Sequence, residues 1–207
     1  MQKYLAEFIG TFFLVLTIGC TGIPAAPGVI PPLAIGAVLM VMVFAGGHVS
    51  GGHYNPAVTL GIWIRGGFPR GDVVPYWLSQ LAGALAATAA AVFIVGPPSG
   101  AAMTPAMAPA LLAELLFTFA LVYVVLNVAT AKATSGNSFY GLAIGMTVMT
   151  GAFAVGAVSG GAFNPAVAVG VGVMGLVSIS SIWIHIVADF AGAVLAAFAF
   201  KTTHPGE

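Results

Sequence analysis

The sequence predicts an all-α membrane protein of six transmembrane helices plus two half-helices, arranged as an inverted repeat. Three observations predict it. The 207-residue chain is 60% hydrophobic and only 5% charged, with a mean hydropathy of +1.09. Six long apolar segments alternate with Gly- and Pro-marked loops. Finally, residues 33–58 recur at 142–167.

A soluble domain carries about 25% charged residues. With so few charges, a fold of this size cannot cover its surface in water, so its solvent is mostly lipid. One span needs roughly 20 apolar residues. Segments 4–23, 33–49, 74–95, 106–129, 139–158 and 179–200 meet that need. Loops fall at 24–32, 96–105 and 131–138, and two apolar pieces, 55–64 and 164–174, are too short to cross. The first apolar run is long and carries Glu7, which fits a span better than a cleavable signal. Net charge is zero, so no nucleic-acid partner is expected. Cys20 is the one cysteine, which excludes an internal disulfide, and its apolar setting suits a small buried hydrophobe.

The basic residues test the span count. Lys3, Arg65, Arg70, Lys132 and Lys201 all fall on one side of a six-span map. Five or seven spans would scatter them. By the positive-inside rule both termini are cytoplasmic, and a plasma (inner) membrane is expected.

The repeat runs through both half-helices. Ser50-Gly51-Gly52 matches Ser159-Gly160-Gly161, and Asn55-Pro56-Ala57-Val58 matches Asn164-Pro165-Ala166-Val167. Gln80 pairs with Asp189 in the same register, 109 positions on, and Ala6-Glu7 recurs as Ala113-Glu114. The chain is thus one domain over 1–207, with repeat one at about 1–95, a loop at 96–104 and repeat two at about 105–207. Three spans per repeat is an odd number, so the second copy is upside down. Inverted pairs place their site near the bilayer midplane on broken helices.

Asn is a strong N-cap and Pro suits the first helical turn. Asn55 and Asn164 therefore each open a half-helix, and inversion brings the two N-termini together. Each carries roughly half a positive charge, which opposes cations and hydronium. The Asn amides are candidates to bond passing oxygen atoms. The extended segments before them would expose carbonyls of Gly51, Gly52, His53 and Tyr54, and of Gly160, Ala162 and Phe163. Irregular backbone at membrane depth is tolerated where it lines a water-filled cavity.

At these residues the sequence resembles the aquaporins. His48–Thr59 is similar to their first signature loop, Ser159–Ala166 to the second, and Ala6–Thr11 to their opening span. The resemblance covers almost the whole chain. It implies a homotetramer in membrane lipid with one pore per subunit, passing water or small neutral solutes and using no cofactor or metal. It also places a selectivity filter at Ile35, Ala152, Gly161 and Val167. Here the chain departs from the family: water and glycerol channels usually place Arg where Val167 stands, and strict water channels place His at Ala152. Glycerol channels commonly carry Asp at the place of Ala168. A filter without side-chain donors is expected to be wide and apolar, with ammonia, urea, peroxide and glycerol as candidate solutes.

Ionisable residues inside spans are costly and point to function. Glu7 and Glu114 sit at matching places, and each is expected to accept N–H bonds from a signature loop. His48 and His53 flank a Gly pair and brace the first loop, with no third ligand for a metal. His185 and Asp189 share a helix face and stand as an ion pair, a subunit contact or a proton relay. The relay would make the chain a proton-coupled transporter on the same repeat, which is the alternative to a passive channel. An enzyme is not expected, because no nucleophile–base pair or metal set has usable spacing.

Overall fold

A computed structural model describes residues 1–207. Eight α-helices follow in order: α1 Gln2–Gly22, α2 Ile30–Ser50, α3 Pro56–Arg65, α4 Arg70–Val95, α5 Met107–Val125, α6 Tyr140–Ser159, α7 Pro165–Met174 and α8 Ile182–Thr203. A π-helical turn, Leu126–Thr130, extends α5. Six are long and apolar enough to cross a membrane, whereas α3 and α7 have ten residues each.

The helix starts differ from the sequence expectation where proline stands. Pro31 and Pro32, assigned to a loop, form the first turn of α2. The first amides of a helix need no partner, so proline's missing N–H does no harm there. α4 begins at Arg70, directly after Pro69, and carries Pro75 inside its second turn, where proline forgoes one i→i−4 bond. Asp72 lies in the first turn, at the positive end of the helix, and pairs with Lys3 at 2.5 Å.

The packing repeats with the sequence. α1 lies on α4 as α5 lies on α8, and each half-helix packs against the last helix of the other repeat, α3 on α8 and α7 on α4. Small residues let these backbones approach. A Cβ on Gly83 would stand 2.5 Å from Phe8 O, and one on Gly192 would stand 2.6 Å from Leu115 O. α2 and α6 meet along the repeat boundary, where Gly36 faces Gly145 O at 2.8 Å by the same measure. The half-helices are thus wedged into one body, with their N-termini facing each other at its centre.

Candidate functional site

Each half-helix opens on its asparagine. Asn55 Oδ1 accepts from Ala57 N at 2.8 Å and Val58 N at 3.4 Å. Asn164 Oδ1 accepts from Ala166 N at 2.9 Å and Val167 N at 3.4 Å. The amide nitrogens cross over: Asn55 Nδ2 donates to Phe163 O at 2.8 Å, and Asn164 Nδ2 to Tyr54 O at 2.9 Å. Capping occupies each side-chain oxygen and crossing occupies one N–H. What each amide has left is one donor.

These crossed bonds divide the expected carbonyl row. Tyr54 and Phe163 carbonyls belong to the junction between the repeats. Both residues sit at positive φ, 49° and 47°, in the left-handed region that aromatic residues seldom enter. Strain of this kind persists only where the surroundings over-determine it, and here a carboxylate behind and an amide in front hold each one. Gly51, Gly52, His53, Gly160, Gly161 and Ala162 have no such crossed bond.

A buried glutamate holds each loop. Glu7 accepts from Ser50 Oγ (2.6 Å), His53 N (3.0 Å), Tyr54 N (2.6 Å) and Gln80 Nε2 (2.8 Å). Glu114 accepts from Ser159 Oγ (2.5 Å), Ala162 N (3.1 Å) and Phe163 N (2.7 Å). Both are fully buried. Unmade bonds to these backbone donors would each cost roughly 1–3 kcal/mol, so a carboxylate with several acceptor sites suits the position.

Between the loops runs a narrow cavity of about 20 Å³, close to the room one water needs. Asn55, Asn164, Gly52, His53, Tyr54, Gly161 and Ala162 line it, as do Ile35 and Val167. Ala152 does not. It stands beside Gly161, its Cα 3.6 Å from where a Gly161 Cβ would be. The rest of the wall is aliphatic, and sequence reasoning passed over it: Leu14, Ile18, Leu39, Val58, Leu121, Val125, Ile144 and Val148. The signal was present in the repeat. Ile144 lies 109 positions after Ile35, Val148 after Leu39 and Val167 after Val58, while Leu121 and Val125 lie 107 after Leu14 and Ile18. Wall residues therefore come as pairs, one from each copy.

The histidines separate. His53 Nδ1 meets Thr59 Oγ1 at 3.1 Å, and its ring packs on Phe68 and Tyr76. His48 lines a wider cavity of about 620 Å³ at one mouth, beside Lys132 and Asn137. His185 and Asp189 form no bond with each other and do not line the narrow cavity. His185 Nε2 meets Ser159 O at 2.8 Å, and Thr118 Oγ1 donates to Asp189 Oδ1 at 2.8 Å.

The family model described as Major intrinsic protein matches residues 1–200. The chain is 37% identical to aquaporin NIP1-4 of Oryza sativa subsp. japonica, over 97% of this chain and 76% of that one. It is 36% identical to glycerol uptake facilitator protein-like 6 of Lactiplantibacillus plantarum, over 97% of each. The X-ray structure of the aquaglyceroporin from Plasmodium falciparum superposes with a TM-score of 0.82 at 21% identity, covering 97% of this chain and 95% of that one.

Proposed function

The chain belongs to the major intrinsic protein family, a family of channels rather than enzymes, and from that premise we propose a passive pore for water and small neutral solutes that excludes protons and ions. The observation that carries this is the pair of crossed asparagines. Each offers the cavity a donor and no acceptor, so a water between them accepts from both sides and turns its own hydrogens outward. A proton-conducting water wire needs one consistent donor direction along the file, and two facing donors reverse it at the centre. The helix N-termini behind the asparagines repel cations at the same point.

The filter at Ile35, Gly161 and Val167, with Ala152 beside Gly161, brings no side-chain donor, and a solute there bonds only to backbone such as Gly160 and Gly161. This favours solutes with apolar surface or few bonding groups: ammonia, peroxide, urea and, in line with the name of the Lactiplantibacillus plantarum relative, glycerol. A cavity with room for about one water asks the larger of these to widen it. Residues 1–207 act as one channel domain, with both termini cytoplasmic. Homotetrameric assembly is part of the same proposal.

Stopped-flow swelling of proteoliposomes tests this. Water flux well above empty vesicles, indifferent to a proton gradient and without proton current, is the expected result. A proton current far above that of empty vesicles would overturn the exclusion. Flux driven by the gradient would favour the transporter that uses Asp189 and His185.

A further inference from the structure

The second loop brace is closed differently from the first. In repeat one the Gln80 amide donates to Glu7 Oε2, and the Tyr76 hydroxyl donates to Ser50 O at 2.8 Å. The residues 109 positions on are Asp189 and His185. His185 takes over the tyrosine's bond, with Nε2 on Ser159 O. Asp189 takes the glutamine's register position, fully buried on α8 where that helix packs on α5, the helix that carries Glu114. A glutamine there supplies N–H donors, whereas an ionised aspartate supplies none.

Glu114 already accepts from one hydroxyl and two backbone amides, which occupies its oxygens as acceptors. Asp189 Oδ1 is occupied by Thr118, and Oδ2 has no partner. Two carboxylates buried side by side on packed helices, away from water, do not both stay ionised. His185 Nε2 lies 3.8 Å from Glu114 Oε1 but is engaged by the Ser159 carbonyl, and its Nδ1 has no partner. Glu114 on α5 and His185 on α8 complete the titratable surroundings. α7 carries no ionisable residue, and Arg65, the one on α3, stands at its far end on Glu207.

We infer that Asp189 is kept as a neutral acid whose Oδ2–H donates to Glu114, so that one retained proton does in the second brace what the Gln80 amide does in the first. Asp189 is then a positioning residue, acting through Glu114 on the backbone of 160–163. When the proton leaves, two facing carboxylates repel and the second loop loosens, while the first, where a carboxamide that does not titrate stands in that place, stays closed. The flux consequence rests on the proposed role of 160–163 as pore wall, whereas the protonation itself does not.

Infrared spectroscopy of the full chain in lipid tests the proton directly. The chain has two aspartates, and the other, Asp72, is ion-paired with Lys3. At neutral pH a protonated-carboxyl band should be present, shift on carboxyl-13C aspartate labelling, vanish in Asp189→Asn and persist in Asp72→Asn. A band that ignores the label puts the proton on a glutamate. No band at all puts it on His185. Either result overturns the inference, and the labelling arm needs no variant to fold. In proteoliposomes, wild-type water permeability should fall on alkaline titration by about five-fold, the factor set by one lost hydrogen bond. Asp189→Gln should remove that dependence. A flat wild-type profile beside an intact aspartate band overturns the coupling to the loop. Absence of water flux at every pH with the band intact strikes the channel proposal instead.

Discussion

Behind the first loop stand Tyr76 and Gln80, and behind the second, in the same two places, stand His185 and Asp189. In front of them the bonds agree one for one: serine hydroxyl to glutamate, two successive backbone amides to the same carboxylate, and a glycine amide to the serine oxygen, 3.1 Å in each loop. Geometry is shared where it shapes the pore and differs one layer further out. The inverted repeat thus constrains what faces the permeant more tightly than how that face is supported. The difference also has a direction. The first support contains a carboxamide, which always carries N–H donors, and the second an aspartate, which donates only when protonated.

The largest expected effect comes from removing either carboxylate. Glu7→Ala orphans two backbone amides, a serine and one N–H of the Gln80 amide, whereas Glu114→Ala orphans two amides, a serine and the acid proton inferred on Asp189. At roughly 1–3 kcal/mol for each buried orphan, both should lose most folded protein, to a similar extent. Thermal melting in detergent checks this, and a well-folded, fully conducting Ala variant would remove the bracing role. Glu→Gln should recover part of the loss at both sites.

A middle-sized effect is expected at the proposed filter, where Val58 and Val167 hold matching places on the cavity wall, one from each repeat. Val167→Arg combined with Ala152→His breaks that likeness by adding bulk and donors in one repeat alone. Flux of urea or glycerol should fall more than flux of water. An unchanged solute-to-water ratio would mean that the aliphatic pairs elsewhere on the wall, such as Leu39 and Val148, set the width.

The smallest effect should come from Tyr76→Phe, which leaves the Ser50 carbonyl without its donor and costs on the order of 1 kcal/mol. A modest drop in melting temperature, with water flux kept near wild type, is expected. A collapse as deep as that of Glu7→Ala would mean that the tyrosine, not the carboxylate, anchors the first loop.

The half-helices, the inversion and the placement of both glutamates were legible in the sequence, because each rests on a local rule: capping, hydropathy, or an acid recurring in a span. The crossed asparagine bonds were not, since nothing in either Asn-Pro-Ala says which carbonyl its amide will meet. That depends on two segments more than a hundred residues apart. Ala152 illustrates another limit. The resemblance placed it in the filter, and the structure sets its Cα 3.6 Å from where a Gly161 Cβ would be, beside a residue that lines the cavity. The aliphatic wall was readable from the 107- and 109-residue registers, but a Leu or Val on the cavity wall looks in sequence like one that faces lipid or a neighbouring helix.

The crossed bonds also set an order of assembly. Every partner of Glu7 lies within the first 80 residues, so the first brace can close as soon as α4 is made. The Tyr54 carbonyl and the Asn55 amide have to wait for Asn164 and Phe163, 110 and 108 positions later. At ribosomal speeds of about 5–20 residues per second, that interval is roughly 5–20 s. Throughout it the nascent first half holds an open-ended strand of polar backbone at membrane depth, fastened at the rear by Glu7 and unfinished at the tip. The centre of the molecule is therefore the last part to be completed, and it is completed by the arrival of the second copy.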